Sequence, residues 1–373
     1  MNKRIYLDYN ATAPIRPTAL EAINSVIKQP LNASSVHSYG REGRKVVESA
    51  REHVAKLINT DSNQVLLNSG ATEGNNTVLQ YFSQQYPDEM ILVSATEHPS
   101  ILELRDILPN VKVIPVDNQG LINLSALETL LNDYKTCLVS CMAVNNESGV
   151  IQHVAEISAL AHKHGALFHC DATQAAGRIM LNMQTLGIDF LTLSSHKIGG
   201  PQGVGALALG MCGITPTLLY GGGQEKSARA GTENVAGIAG FGAAAKEALE
   251  HLNHYQALGT WRNKLEDGLK ATSPEIIIHG AKTERVQNTC FFSLPGVDSQ
   301  TLLMAFDLEG IAVSNGSACS SGTVKSSTVL KAMGLDEKIS ASGLRISMGW
   351  ATKEEDINAF LGAWKKIYKR LKR

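Results

Sequence analysis

The 373-residue sequence carries almost no net charge, −1 with histidines neutral, so it offers no global attraction to nucleic acid or to an anionic membrane. It also lacks any run of about 18 apolar residues that could cross a bilayer. Its start, Met1-Asn2-Lys3-Arg4-Ile5-Tyr6-Leu7-Asp8, has two basic residues but not the apolar stretch of a secretory leader. A soluble, cytoplasmic protein is expected, with no membrane and no direct nucleic-acid partner. The six cysteines, at 137, 141, 170, 212, 290 and 319, form no C-x-x-C pair and no His/Cys cluster at zinc spacing, which argues against an intrinsic metal site. Cys137, Cys141, Cys170 and Cys290 lie in apolar runs, where cysteine behaves as a small buried hydrophobe. Repeats and low-complexity segments are absent too. The one marked charge cluster, Lys365-Lys366-Ile367-Tyr368-Lys369-Arg370-Leu371-Lys372-Arg373, reads as a solvated helix end whose cations suit the negative pole of the helix.

What is present is an ordinary globular composition, 43% hydrophobic and 18% charged, over a length that buries a sizeable core and suggests two domains. Apolar, β-rich runs at 64–68, 89–94, 111–116, 137–144, 166–170, 189–194 and 204–209 alternate with helical periodicity at 41–59, 72–84, 123–133 and 153–164. That alternation predicts a mostly parallel α/β sheet. A helical stretch then runs from 232 to 270 without a strand. Shorter strands follow near 275–279, 288–294 and 343–349, with helices near 298–308 and 353–371, so a domain change is placed near residue 255.

Lys197 stands in Ser194-Ser195-His196-Lys197-Ile198-Gly199-Gly200-Pro201, just after the run Phe190-Leu191-Thr192-Leu193, and Asp171 closes the run Ala166-Leu167-Phe168-His169-Cys170. In a parallel sheet both side chains could emerge at the same carboxyl edge. A lysine amine for a Schiff base and a carboxylate that keeps a pyridine nitrogen protonated are what pyridoxal phosphate requires. Taken alone, the pair fits equally a surface lysine and a helix-capping aspartate. The turn Asn68-Ser69-Gly70-Ala71-Thr72-Glu73-Gly74-Asn75-Asn76 follows a strand and opens a helix. Its free N–H groups and the Thr72 hydroxyl could stabilise a phosphate, although Ser or Thr followed by Glu is also an everyday helix start. Ser194 and His196 flank Lys197 and could bond the same phosphate. His98 could stack on a planar ring, Asn146 ends a buried strand, and Gln174 lies three residues after Asp171.

Further motifs stand in order along the chain: Tyr6-Leu7-Asp8-Tyr9-Asn10-Ala11-Thr12-Ala13-Pro14, Ser34-Ser35-Val36-His37 with Gly40-Arg41, Glu97-His98, Asn145-Asn146-Glu147, Asp171-Ala172-Thr173-Gln174, Gly221-Gly222-Gly223-Gln224-Glu225 with Arg229-Ala230-Gly231-Thr232-Glu233-Asn234, and Gly316-Ser317-Ala318-Cys319-Ser320-Ser321-Gly322. Together they resemble the cysteine desulfurases, class-V aminotransferase-family enzymes of pyridoxal-phosphate fold type I (aspartate-aminotransferase-like), over essentially the whole length. The resemblance implies a large domain, 12–255, around a mostly parallel seven-stranded sheet, and a smaller α+β domain from 1–11 and 256–373. It implies that pyridoxal 5'-phosphate is held on Lys197, with Asp171 at the pyridine nitrogen, Gln174 at the ring oxygen and His98 stacked on the ring. Ala71, Thr72, Ser194 and His196 would hold the phosphate, joined by Thr232 from the second subunit of a homodimer. Asn146 and Arg345 would orient L-cysteine, since a planar guanidinium matches a carboxylate bidentately.

Cys319 separates this family from other enzymes of the same fold. It lies in Ser314-Asn315-Gly316-Ser317-Ala318-Cys319-Ser320-Ser321-Gly322-Thr323, whose composition predicts a mobile, exposed loop. The long segment down to Arg345 resembles the NifS/IscS-like group with an extended catalytic loop. In that chemistry Lys197 removes the Cα proton and the Cys319 thiolate attacks the substrate sulfur, leaving alanine and a persulfide. The proton of Cys319 is taken by the substrate thiolate or by His98. The persulfide passes to a sulfur-accepting protein such as an iron–sulfur scaffold or a tRNA-thiolation protein, where Cys319 could transiently ligate a cluster. A selenocysteine lyase, or another carbon–sulfur lyase or aminotransferase of this fold, is the alternative. Ser195, Ala13 and Trp350 depart from the commonest family pattern without removing a reacting group.

Overall fold

Alternation of side chains along the central strands sends neighbours to opposite faces and so calls for helices on both sides of the sheet. The computed structural model describes residues 4–315 and 326–372. After β1 (Ile5–Tyr6), seven strands form the main sheet: β2 (Val65–Asn68), β3 (Met90–Ser94), β4 (Val111–Ile114), β5 (Thr136–Ser140), β6 (Leu167–Asp171), β7 (Phe190–Ser194) and β8 (Gly205–Leu209). Their order is β2-β8-β7-β6-β5-β3-β4, and only β8 runs antiparallel to its neighbours. The helices of this part are α1 (Pro17–Val26), α2 (Ser38–Leu57), α3 (Ala71–Gln85), α4 (Pro99–Leu102), α5 (Leu124–Asp133), α6 (Val154–Lys163) and α7 (Val235–Glu250). Leu92, Val139, Phe168 and Leu191 pack with Val47 and Val54 of α2 and Phe241 of α7. Ile91, Val93, Leu138 and Phe190 pack on the other face with Val78, Leu79 and Phe82 of α3.

A separate hydrophobic cluster gathers Leu258 and Leu269 of α8 (Leu252–Thr272) with Phe292, Phe306, Leu344, Phe360 and Trp364. Its strands are β9 (Ile277–Ile278), β10 (Thr289–Ser293), β11 (Ile311–Ala312) and β12 (Gly343–Ser347), with the order β12-β10-β9 in one antiparallel sheet. The N-terminal segment reaches into this cluster: β1 pairs in parallel with β11, Leu7 belongs to the cluster, and the Leu7 carbonyl accepts from Ser347 N at 2.8 Å.

Three expectations change in detail. The run 137–144 is a strand only to Ser140, after which Cys141 to Val144 stay buried and two further backbone N–H groups, of Cys141 and Ala143, still donate to the His169 and Asp171 carbonyls. The helical stretch from 232 to 270 breaks at His251, whose φ of −106° and ψ of 24° lie outside the helix. The basic tail is a helix end (Glu354–Leu371) as expected, but Lys366 and Arg370 pair with Glu309 and Lys372 with Glu275, so much of its charge is neutralised locally. Cys137, Cys141, Cys170 and Cys290 are buried free thiols, and burial pushes each thiol up, Cys137 to about 12. Among the described residues no helix is long and apolar enough to cross a membrane.

Candidate active site

Parallel strands end together on one edge of the sheet, and the turns leaving them carry the polar residues. β2 leads into Ser69 to Thr72, β3 towards His98, and β5 towards Asn146; β6 ends in Asp171, and β7 ends in Ser194 before a tight turn, Ser195–Lys197. All of these but Ser195, with Asn10, Ala11, Thr173, Gln174 and Arg345, line a cavity of about 510 Å³. A larger cleft of about 860 Å³, between α1, α2 and α7, is lined by Trp350 but by none of the candidate catalytic, cofactor-binding or substrate-binding residues.

Glycines let the backbone form this cradle. Gly70, at φ +149°, makes the corner between β2 and α3, a region that L side chains avoid. A Cβ on Gly205 of β8 would lie 2.5 Å from the Leu193 carbonyl oxygen and 2.6 Å from Gly70 Cα, so the antiparallel strand and the corner touch backbone to backbone. The N-cap of α3 makes no side-chain hydrogen bond, and its first-turn N–H groups are open to an anion where Ala71 and Thr72 line the cavity.

The cavity's side chains are oriented by near neighbours. Lys197 Nζ donates to the carbonyls of Asn10 and Ala11, both at 2.7 Å. Asp171 is buried and accepts from Asn75 Nδ2 and from the Thr173 backbone N–H, each at 2.9 Å. Gln174 Nε2 donates to the Asn10 carbonyl at 2.9 Å. Among the described residues Gln174 Oε1 and Thr173 Oγ1 are buried without a hydrogen-bond partner. His98 Nδ1 accepts from Ser100 N at 3.1 Å, which puts the neutral ring's proton on Nε2. Burial lowers the His98 pKa, Asp171 opposes this only in part, and Lys197 adds to it. His196, 3.1 Å from Thr12 Oγ1, is pushed down to about 4 by burial and by Lys197. Both imidazoles are therefore neutral at neutral pH.

At the other end, Arg345 on β12 donates from Nη1 to the Asn146 carbonyl at 2.8 Å and pairs through Nη2 with Asp8 at 2.7 Å. Glu147 is buried and accepts from Ser327 Oγ at 2.5 Å; burial outweighs Ser327 and Arg345 and raises its pKa to about 6. Thr232 is exposed and does not line this cavity of its own chain. Cys319 lies outside the described residues. The sequence reading passed over Asn75, Asp8, Glu147 and Glu97. Glu97 accepts from Met142 N at 2.5 Å, and burial followed by the charge of Asp171 pushes it well up. Asn75 had a usable signal, its place one turn along α3 from Ala71 and Thr72. Trp350, the unusual residue at its position, lies 5.5 Å under the Arg16 guanidinium and donates to the Pro14 carbonyl at 3.0 Å.

The donor set suits a planar ring with an anionic tail: an amine and a carboxylate at the sheet edge, an amide oxygen left without a partner, and a helix start. The chain matches the family model described as aminotransferase class-V over residues 5–360. It is 36% identical over 380 residues to a cysteine desulfurase IscS of Dictyoglomus turgidum, with 100% of this chain and 96% of that protein covered. It is 37% identical over 374 residues to cysteine desulfurase 2 of Trichormus variabilis, with 99% and 94% covered. Among solved structures, a NifS-like protein from Rickettsia africae superposes with a TM-score of 0.92 at 40% identity, covering 98% of this chain and 100% of that chain.

Proposed function

The chain belongs to the class-V aminotransferase family, among its cysteine desulfurases, and from that premise we propose that it takes sulfur from L-cysteine, releases L-alanine and leaves a persulfide on Cys319. The observation that carries this reading is the convergence of Lys197, Asp171, Gln174, His98, Asn146 and Arg345 on one cavity from strands and turns spread between residues 98 and 345. Pyridoxal 5'-phosphate, when bound, supplies an electron sink for the pair left at the substrate Cα.

The chain's own groups do the rest. Lys197 holds the cofactor and then takes the Cα proton at Nζ. Asp171, fixed by Asn75 and Thr173, would pair with the pyridine nitrogen. Gln174 would contact the ring oxygen, and Ala71, Thr72, Ser194 and His196 would hold the phosphate. Thr232, on an exposed loop, serves the site of a second copy, which makes the working unit a homodimer. Arg345 and Asn146 orient the substrate carboxylate. His98 would stack on the ring, and its Nε2–H makes it a proton donor, which leaves the substrate thiolate to take the proton of Cys319. The same reading divides the chain into a large unit, 12–255, and a smaller one, 1–11 with 256–373. It places the enzyme in the cytoplasm, handing sulfur to an iron–sulfur scaffold or a tRNA-thiolation protein.

The test is to incubate the protein with L-cysteine, quantify alanine and identify persulfide on Cys319 by mass spectrometry. Undiminished sulfide release by Cys319→Ala would sink the reading in favour of a carbon–sulfur lyase. Comparing turnover of cysteine and selenocysteine separates a desulfurase from a selenocysteine lyase.

A further inference from the structure

The N-terminal segment ends against the lysine. The Asn10 carbonyl accepts from Lys197 Nζ at 2.7 Å and from Gln174 Nε2 at 2.9 Å, so one oxygen sets the spacing of both side chains. That oxygen is useful only if it is itself held still. The Asn10 side chain is buried, and its amide is saturated: Oδ1 accepts from Arg178 Nη1 at 2.7 Å and from Asn288 Nδ2 at 3.2 Å. Nδ2 donates to the Asn146 carbonyl at 3.1 Å and to Thr289 Oγ1 at 3.0 Å. The Asn10 N–H adds a bond to Ser347 Oγ at 3.0 Å. Two lone pairs and two N–H groups are all that an asparagine amide offers, and every one is used.

The bonds also run on to the substrate end. The Asn146 carbonyl that Asn10 holds is the one that takes Arg345 Nη1 at 2.8 Å. Lys197, Asn10, Asn146 and Arg345 thus form a continuous hydrogen-bonded series. Arg178 reinforces it, being buried and having its Nε and Nη2 without partners among the described residues. Its bond to Asn10 is therefore costly to remove, because a buried guanidinium would lose compensation.

We propose that Asn10 is a positioning residue: its side chain fixes the carbonyl that aims the Lys197 amine and ties that amine to the Asn146–Arg345 end of the cavity. The proposal rests on the reading of Lys197 as the cofactor-bonding lysine.

The experiment mixes cofactor-free protein with pyridoxal 5'-phosphate and follows the visible absorbance, with Lys197→Ala as control, before steady-state kinetics on L-cysteine. Asn10→Ala is expected to develop the wild-type band about tenfold more slowly and, once loaded, to lose about tenfold in kcat while KM stays within about threefold. A general packing role would not produce that split between kcat and KM. Thr289→Val, which keeps the shape but removes one acceptor of the Asn10 amide, is expected to show the same pattern at smaller size, and it stands in if Asn10→Ala does not fold. Wild-type band formation and kcat in these variants overturn the proposal, and so does a raised KM at unchanged kcat. If the wild-type protein gives no band that Lys197→Ala lacks, the reading of Lys197 itself has failed and the role of Asn10 falls with it.

Discussion

The cavity has two walls built by different means. At the sheet edge, Ser69 to Thr72, Asp171 and Ser194 to Lys197 are placed by strand ends, a glycine corner and the close approach of β8. At the opposite seam, Asn146 and Arg345 line the cavity, Arg345 is held by Asp8, 337 residues away in sequence, and Glu147 next to Asn146 is bonded to Ser327. Ser314 and Ser327, which flank the segment holding Cys319, both anchor there, Ser314 on the Arg345 backbone and Ser327 on the Glu147 carboxylate. A wall made of packed backbone fails all at once. A wall made of charge-assisted side-chain bonds can be loosened by degrees and answers to pH.

The largest effect should come from the sheet edge. Lys197→Ala should abolish the visible absorbance on adding pyridoxal 5'-phosphate and cut alanine formation by at least about 10⁴-fold, roughly 5 kcal/mol. Retained turnover would mean that the wall does not carry the chemistry. Next, Gly205→Ala puts a Cβ 2.5 Å from the Leu193 carbonyl oxygen and 2.6 Å from Gly70 Cα, so it should lower stability by about 3 kcal/mol as an overpacking change. Denaturant unfolding reads this as a lower midpoint at unchanged m. A neutral result would show that the corner gives way, and the contrast between the two walls would lose its basis.

At the seam, Arg345→Lys keeps the charge but loses the fork that meets the Asn146 carbonyl and Asp8 together. We expect kcat/KM for L-cysteine to fall about 100-fold, ~2.7 kcal/mol, chiefly through KM. A fall confined to kcat would mean that Arg345 acts on the reaction and not on the substrate's carboxylate.

The same division explains what could be read from the sequence. The seven strands and the strand-end residues Lys197, Asp171 and His98 were legible because an apolar run followed by a polar turn is a local pattern. The antiparallel direction of β8 was not, since alternation carries no direction. The two-residue strands β1 and β11 are too short to show any period. Asn10, Asp8 and Glu147 were quoted only inside motifs, and nothing local to Asn10 announces a bond to Asn288, 278 residues away. Polar residues whose partners come from the other hydrophobic cluster become visible only once the chain is folded. Arg345 was the exception, reached through family resemblance and not through its own surroundings.

The smallest effect, and the one that best sharpens the contrast, concerns Glu147. Its pKa rises from 4.5 to about 6 mainly through burial, so the folded protein binds its proton more tightly than the unfolded chain does. The resulting stabilisation is fully present below pH 4.5 and is lost as pH rises through 6. The shift is worth about 2 kcal/mol across that window. Glu147→Gln keeps an acceptor for Ser327 and cannot ionise, so it should remove this slope. Urea unfolding of both proteins between pH 4.5 and 7 should show the wild type losing about 2 kcal/mol more than the variant. Parallel curves would mean that Glu147 titrates as an ordinary carboxyl and that the seam is no more responsive to pH than the sheet edge. Converging curves at low pH would place the responsive element of the cavity at the carboxylate that anchors Ser327.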